Sequence, residues 1–203
     1  ETKMAVGNHL VPGLYHCQYV MYTGGIAHQW AIETFFGGEQ SPVDVYQLAS
    51  DLARTIPQAE DTVLFLPFMR AGGAPYNNMN ARGVFSGIGL QHKREHLYRA
   101  VLEGVAMNIK ILLDRFETFR GKELPELSII GGGSRNSFWM KLVADITGRR
   151  IITTNLKQEA NCFAAAQCAG IGVGLYKDFT EIKQMFQSEQ AYVPDSTNAK
   201  FYD

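Results

Sequence analysis

Residues 128–136 read Ser-Ile-Ile-Gly-Gly-Gly-Ser-Arg-Asn: a short apolar run, three consecutive glycines, and then an amphipathic stretch. Leu127 to Ile130 is apolar enough for a buried strand, and the spacing of Phe138, Leu142, Val143 and Ile146 predicts a helix over 137–147 closed by Gly148. A strand that passes straight through glycines into a helix is a building block of α/β layers. Glycine lets the backbone turn sharply and approach a flat ligand, and the first amides of the helix are unpaired donors at the positive end of its dipole. Ser134 and Asn136 could cap that helix or hydrogen-bond a base or ribose. A plain glycine turn joining the two elements is the other reading.

The rest of the chain supplies matching parts. Arg150 to Thr154 predicts a further strand, Glu159 to Gly174 an alanine-rich helix, and Phe179 to Phe186 a last helix before a loose tail. Lys93 to Phe116 is the strongest helix, with Leu97, Val101, Val105, Ile109, Leu112 and Phe116 in one stripe. Gly104 within it costs about 1 kcal/mol against Ala, which points to close packing of a neighbour. Upstream, Tyr15 to Tyr22, Val63 to Leu66 and Val84 to Leu90 read as strands, and Ile26 to Phe36 as a short helix. Ser41-Pro42 suits the start of another helix, continued by Val43, Tyr46, Leu48, Leu52 and Ile56. The loop from Met69 to Arg82 is dense in Gly, Asn and Pro, and a loop that long is usually functional or an interface.

Bulk properties remove several function classes. With 46% apolar and 19% charged residues, the 203-residue chain can bury a core and fits one domain or one lobe of a larger enzyme. A formal charge of −1 without a basic run gives no support to a nucleic-acid or anionic-membrane surface. No apolar stretch approaches the roughly 20 residues a bilayer needs. Cys17, Cys162 and Cys168 form neither a disulfide framework nor a zinc spacing; they read as core fillers in a reducing cytoplasm. His92 and His96 stand at helical spacing but lack the glutamate of a HExxH motif. Glu1 opens without a basic or apolar leader, so the start reads as the interior of a longer protein.

Two phosphate motifs can be tested against the glycine bend. A P-loop needs Gly-Lys-Ser/Thr after its glycines, and Gly-Ser-Arg-Asn follows instead. A dinucleotide fingerprint needs a third glycine where Asn136 stands, and Glu159 matches its distant acid only loosely.

The stretch GGGSRN, with Trp139 three residues on and then LVADITGRRI, is similar to the adenine-binding segment of the FGGY family of carbohydrate kinases. Upstream, the run from LFLPFM through RGVFSG to YRAVLEG resembles the loop, Arg-Gly strand and helix of that family; Arg82, Gly83, Gly87, His96, Arg99, Ala100, Glu103 and Gly104 fall on its recurrent positions. TGGIAHQW at 23–30 resembles a third segment, and the three occur in the family's order across roughly residues 15–175.

The resemblance implies an α/β, ribonuclease-H-like (actin-like ATPase) lobe, a mixed sheet with flanking helices, corresponding to the family's C-terminal nucleotide-binding half. It implies ATP, with Mg²⁺ on the nucleotide phosphates, and a small sugar, a pentulose such as xylulose, as reactants. It places Gly25, Gln29, Gly132, Gly133 and Asn136 at the nucleotide, and leaves Arg82, Arg99 and Glu103 to packing and ion pairing. It allows a homodimer. The catalytic aspartate and most sugar contacts of the family belong to an N-terminal lobe outside this chain, and no acid here suits the role of base. Met69-Arg70-Ala71-Gly72-Gly73 departs from the family's Gly-Glu-Arg-like run, and Ala164 replaces a helix glycine. The rival readings are an NAD-binding oxidoreductase lobe and a non-catalytic interaction module.

Overall fold

The computed structural model describes residues 4–38, 44–57, 62–155, 159–183, 185 and 187–202. The core is organised around one long helix. Helix α3 (Arg94–Arg120) is buried on almost every side between Tyr98 and Ala106, because α1 (Gly25–Phe36), α2 (Val45–Arg54), α4 (Ser137–Thr147) and strand β3 (Leu64–Leu66) all pack against it. The stripe expected from the sequence is therefore only part of its packing surface: Tyr98, Leu102 and Ala106 are as buried as Val101 and Val105. Gly104 faces β3 so closely that an added Cβ would collide with the Phe65 carbonyl. The glycine expected to mark a close neighbour does so.

Among the described residues, three small sheets accompany the helices. β1 (Ala5–Asn8) pairs antiparallel with β2 (Tyr15–Gln18), and β3 with β4 (Val84–Ser86). The third sheet has the order β5-β6-β7: β5 (Glu126–Ile129) runs parallel to β6 (Arg150–Thr154), and β7 (Ser188–Tyr192) runs antiparallel to it. This is the mixed sheet with flanking helices expected from the sequence. Ile151, Ile152 and Thr153 of the central strand are buried.

Several boundaries moved, each for a physical reason. β2 ends at Gln18 rather than Tyr22, because the following backbone holds the 69–82 loop: Ala74 N–H donates to the Val20 carbonyl at 2.9 Å. The loop braces itself through paired backbone hydrogen bonds of 2.8 Å between Gly72 and Asn78. β4 ends at Ser86, well short of Leu90, because Gly87 adopts φ +84°, a conformation that breaks a ladder. Ser41-Pro42 lies outside the described residues; the cap of α2 is Asp44, whose carboxylate accepts from Tyr46 N–H at 2.9 Å. Helix α5 (Ala160–Gly172) and α6 (Phe179–Lys183) fall inside their expected spans.

The loose tail was a misreading. Residues 188–192 form β7, and α7 (Ser196–Ala199) docks on α4, where the buried Asp145 accepts from Asp195 N–H at 2.7 Å and from Asn198 Nδ2 at 3.0 Å. The cysteines are not core fillers either: Cys17 and Cys162 are exposed and Cys168 is half-buried.

Candidate nucleotide site

Two bends distant in sequence meet at one place. The first is the turn Thr23-Gly24 into α1, the second the run Gly131 to Asn136 into α4, in which Gly132–Arg135 make a single 3₁₀ turn. Between them and the polar face of α2 opens a cleft of about 580 Å³, lined by Gly25, His28 and Gln29 of α1, by Asp44, Tyr46, Gln47, Ser50 and Arg54 of α2 and its cap, and by residues 132–137 apart from Ser134. Its size falls within the usual range for small-molecule sites. All five residues singled out from the sequence, Gly25, Gln29, Gly132, Gly133 and Asn136, lie on its wall.

The two bends are shaped differently. A Cβ on Gly25 would meet nothing within 4 Å, so the backbone there faces open cleft at the first turn of a twelve-residue helix. A Cβ on Gly133 would lie 2.7 Å from the Trp139 ring. That indole is fixed by its own Nε1–H, which donates to the Leu102 carbonyl at 3.0 Å. Gly25 thus keeps the cleft open, while Gly133 lets its floor settle on Trp139.

Asn136 both caps and braces. Its Oδ1 accepts from Trp139 N–H at 3.0 Å at the start of α4, and its Nδ2 donates to Ser50 Oγ at 3.0 Å and Tyr98 Oη at 3.2 Å. Ser50 Oγ–H in turn donates to the Tyr46 carbonyl at 2.8 Å, and Tyr98 Oη lies 2.8 Å from His28 Nε2. A neutral imidazole can take either side of that bond, according to its tautomer. Burial among Tyr46, Tyr98 and Trp139 keeps the ring neutral: it pulls His28 down to about 4 and pushes Tyr98 up to about 12. The network joins α1, α2, α3 and α4 behind the cleft with no formal charge.

The remaining lining is looser. Gln29 is exposed, its Nε2 donating to Glu33 at 2.8 Å, and its amide oxygen is directed to no neighbour among the described contacts. Arg54 pairs with Asp51 at 2.8 Å, donates to Ser137 Oγ at 3.2 Å and lies over the Phe138 ring. Arg99 and Glu103 are a buried ion pair of 2.7 Å, as expected, whereas Arg82 is exposed and donates to the carbonyls of Met79 and Ala81. His92 Nδ1 and His96 Nδ1 accept backbone N–H groups of Gly89 and Lys93, local turn contacts.

Sequence reasoning missed the whole α2 wall. Tyr46 reads with the apolar series of its helix, and Gln47, Ser50 and Arg54 read as solvated surface. The buried His28, between Ala27 and Gln29, carried no signal beyond an isolated histidine.

The model of the C-terminal domain of the FGGY family of carbohydrate kinases matches residues 3–173. The chain belongs to that family. This FGGY domain is 28% identical to a xylulose kinase of Staphylococcus epidermidis over its full length, covering 40% of that protein. It is 35% identical to a glycerol kinase of Clostridium beijerinckii, with 85% of the chain and 36% of the relative covered. The crystal structure of xylulose kinase from Rhodospirillum rubrum superposes on all of the chain and 40% of its own, with a TM-score of 0.80 at 27% identity. The fold is thus that of the FGGY kinases, the actin-like class expected from the sequence, and the chain spans about 40% of the length of the kinases it covers in full. Family membership sets aside the oxidoreductase reading: where a dinucleotide fold needs its third glycine, the FGGY domain has a helix-capping asparagine.

Proposed function

We propose that this FGGY domain is the nucleotide-binding side of an ATP-dependent carbohydrate kinase that transfers the γ-phosphate to a hydroxyl of a small sugar. The observation that supports it most is the convergence of Gly25 and Gln29 with Gly132, Gly133 and Asn136, over a hundred residues later, on one cleft. In this reading the open backbone at Gly25 meets the nucleotide phosphates with the free amides of α1, where anions are favoured. The base and ribose lie against Gly132 and Gly133. Asn136, with its amide committed to α4 and to Ser50 and Tyr98, shapes that surface rather than reading the base by itself.

Phosphoryl transfer rests on positioning and on neutralising the moving charge. The chain's own residues supply the first: they fix the nucleotide's purine end against the glycine bend and its phosphates against the start of α1. Mg²⁺ would ride on the phosphates. Among the described residues no three His, Cys, Asp or Glu side chains gather to hold a metal, and the Asp44 carboxylate on the cleft wall is engaged as a helix cap. The base that accepts the sugar proton and most sugar contacts belong, in this proposal, to a second lobe across the cleft.

A pentulose such as xylulose is the favoured acceptor in this proposal; two xylulose kinases are among the relatives matched over the whole chain. A cytoplasmic location is part of the proposal; among the described residues no helix is long and apolar enough to cross a membrane.

The test is steady-state kinetics of the complete protein with ATP and a panel of pentuloses, glycerol and gluconate. Asn136→Ala should raise KM for ATP several-fold and leave KM for the sugar within twofold. Equal effects on both constants, or no phosphorylation of any acceptor, would count against the assignment.

A further inference from the structure

The C-terminal segment lies beyond the family match, which ends at residue 173, yet it reaches the central helix α3. Tyr202 Oη donates to Glu103 Oε1 at 2.8 Å. The same oxygen accepts from Arg99 Nε at 2.7 Å, and Arg99 Nη1 donates to the Ile56 carbonyl. Ile56 follows the C-cap of α2, the helix that carries Tyr46, Gln47, Ser50 and Arg54 to the cleft. Arg99 and Glu103 are almost wholly buried, at 7% and 6% exposure, so each needs its partners in place.

From this geometry we propose that Tyr202 is a positioning residue for the nucleotide. It holds the Glu103 carboxylate in the one orientation that aims Arg99 at Ile56, and Arg99 in turn fixes the end of α2. With that end fixed, Ser50 stays within reach of Asn136 Nδ2 and the α2 wall keeps its distance from Gly132 and Gly133. Without the phenol, Glu103 keeps Arg99 as its side-chain partner among the described residues and can turn with it. The register between α2 and the glycine bend then loosens, although the fold stays intact.

The segment's docking does not depend on this bond. α7 is independently held by Asp145 through Asp195 and Asn198, so Tyr202→Phe removes one hydroxyl and keeps the strap. Burial, followed by the neighbouring Glu103 charge, pushes the Tyr202 phenol upward, so it stays a donor throughout the working range of an enzyme.

This inference rests on the nucleotide reading of the cleft, and the test separates the two. In the complete protein, Tyr202→Phe should raise KM for ATP three- to tenfold, with kcat and KM for the sugar within twofold and the unfolding temperature within a few degrees. Asn198→Ala, which weakens the strap at Asp145 instead, should leave KM for ATP unchanged. ADP titration of each purified variant gives the same comparison without turnover. An unchanged KM for ATP in Tyr202→Phe, or equal rises in Tyr202→Phe and Asn198→Ala, overturns the positioning role. If Asn136→Ala moves KM for ATP while Tyr202→Phe does not, only the role of Tyr202 falls. If neither moves it, the nucleotide reading falls as well.

Discussion

Gly104 on α3 and the Phe65 carbonyl on β3 approach so closely that no Cβ fits between them. Helix propensity favours Ala over Gly by about 1 kcal/mol, but overpacking a core contact costs about 1–3 kcal/mol and here involves backbone, which cannot rotate away. Gly104→Ala should therefore destabilise the protein by about 1–2 kcal/mol despite its better propensity. Thermal unfolding checks the sign; a more stable variant would show that β3 yields.

The neutral state of His28 gives stability a definite pH dependence. Burial holds it at about 4 in the folded protein against an ordinary 6.5. Between these values the unfolded chain binds a proton that the folded one does not, so acidification favours unfolding. The contribution is complete above about pH 6.5 and lost as the pH falls towards 4, and it amounts to at most about 3 kcal/mol. Urea unfolding from pH 7 to pH 4.5 should show this slope, and His28→Gln should flatten it. An unchanged slope would mean that other groups carry it.

Arg149 and Glu117 lock the end of α3 to the turn before β6. Arg149 Nε and Nη2 donate to the two Glu117 oxygens at 3.1 and 2.8 Å, and Leu124 N–H adds a third bond of 2.7 Å. Lysine cannot reproduce that fork, so Arg149→Lys should cost about 1–2 kcal/mol. The guanidinium holds Glu117 below its ordinary 4.5, so this stability is present above that value and drains as the pH falls through the folded one. It is thus separable from the His28 range. Denaturation at pH 7 and pH 3 measures it: the variant should lose more at pH 7, and equal losses would contradict the pairing.

What the sequence disclosed followed from strong local punctuation. α4 appears with the expected ends, Ser137 and Thr147, because Asn136 caps one end and Gly148 closes the other at φ +65°. β6 matched for a similar reason, its apolar Ile151-Ile152 pair being bounded by arginines and by the chain break in hydrophobicity after Thr154. β7 stayed hidden because Ser-Glu-Gln-Ala-Tyr has no alternation, and its strand exists only through pairing with β6. The glycine bends of the site were readable since glycine is a backbone statement. The α2 wall was not, since Ser50 and Tyr46 become site residues only when α4 and α1 bring Asn136 and His28 beside them.

The most direct measurement uses Gly25. Its missing Cβ would point into unoccupied cleft, and its backbone is compatible with any residue at a first helical turn. Gly25→Val should leave the unfolding temperature within about 2 °C, a shift of at most about 1 kcal/mol for a domain of this size. By isothermal titration of the complete protein with Mg-ATP, the account predicts affinity at least tenfold weaker in Gly25→Val than in wild type. Equal affinity in a folded Gly25→Val protein would contradict it, because the phosphates could not then lie against that bend.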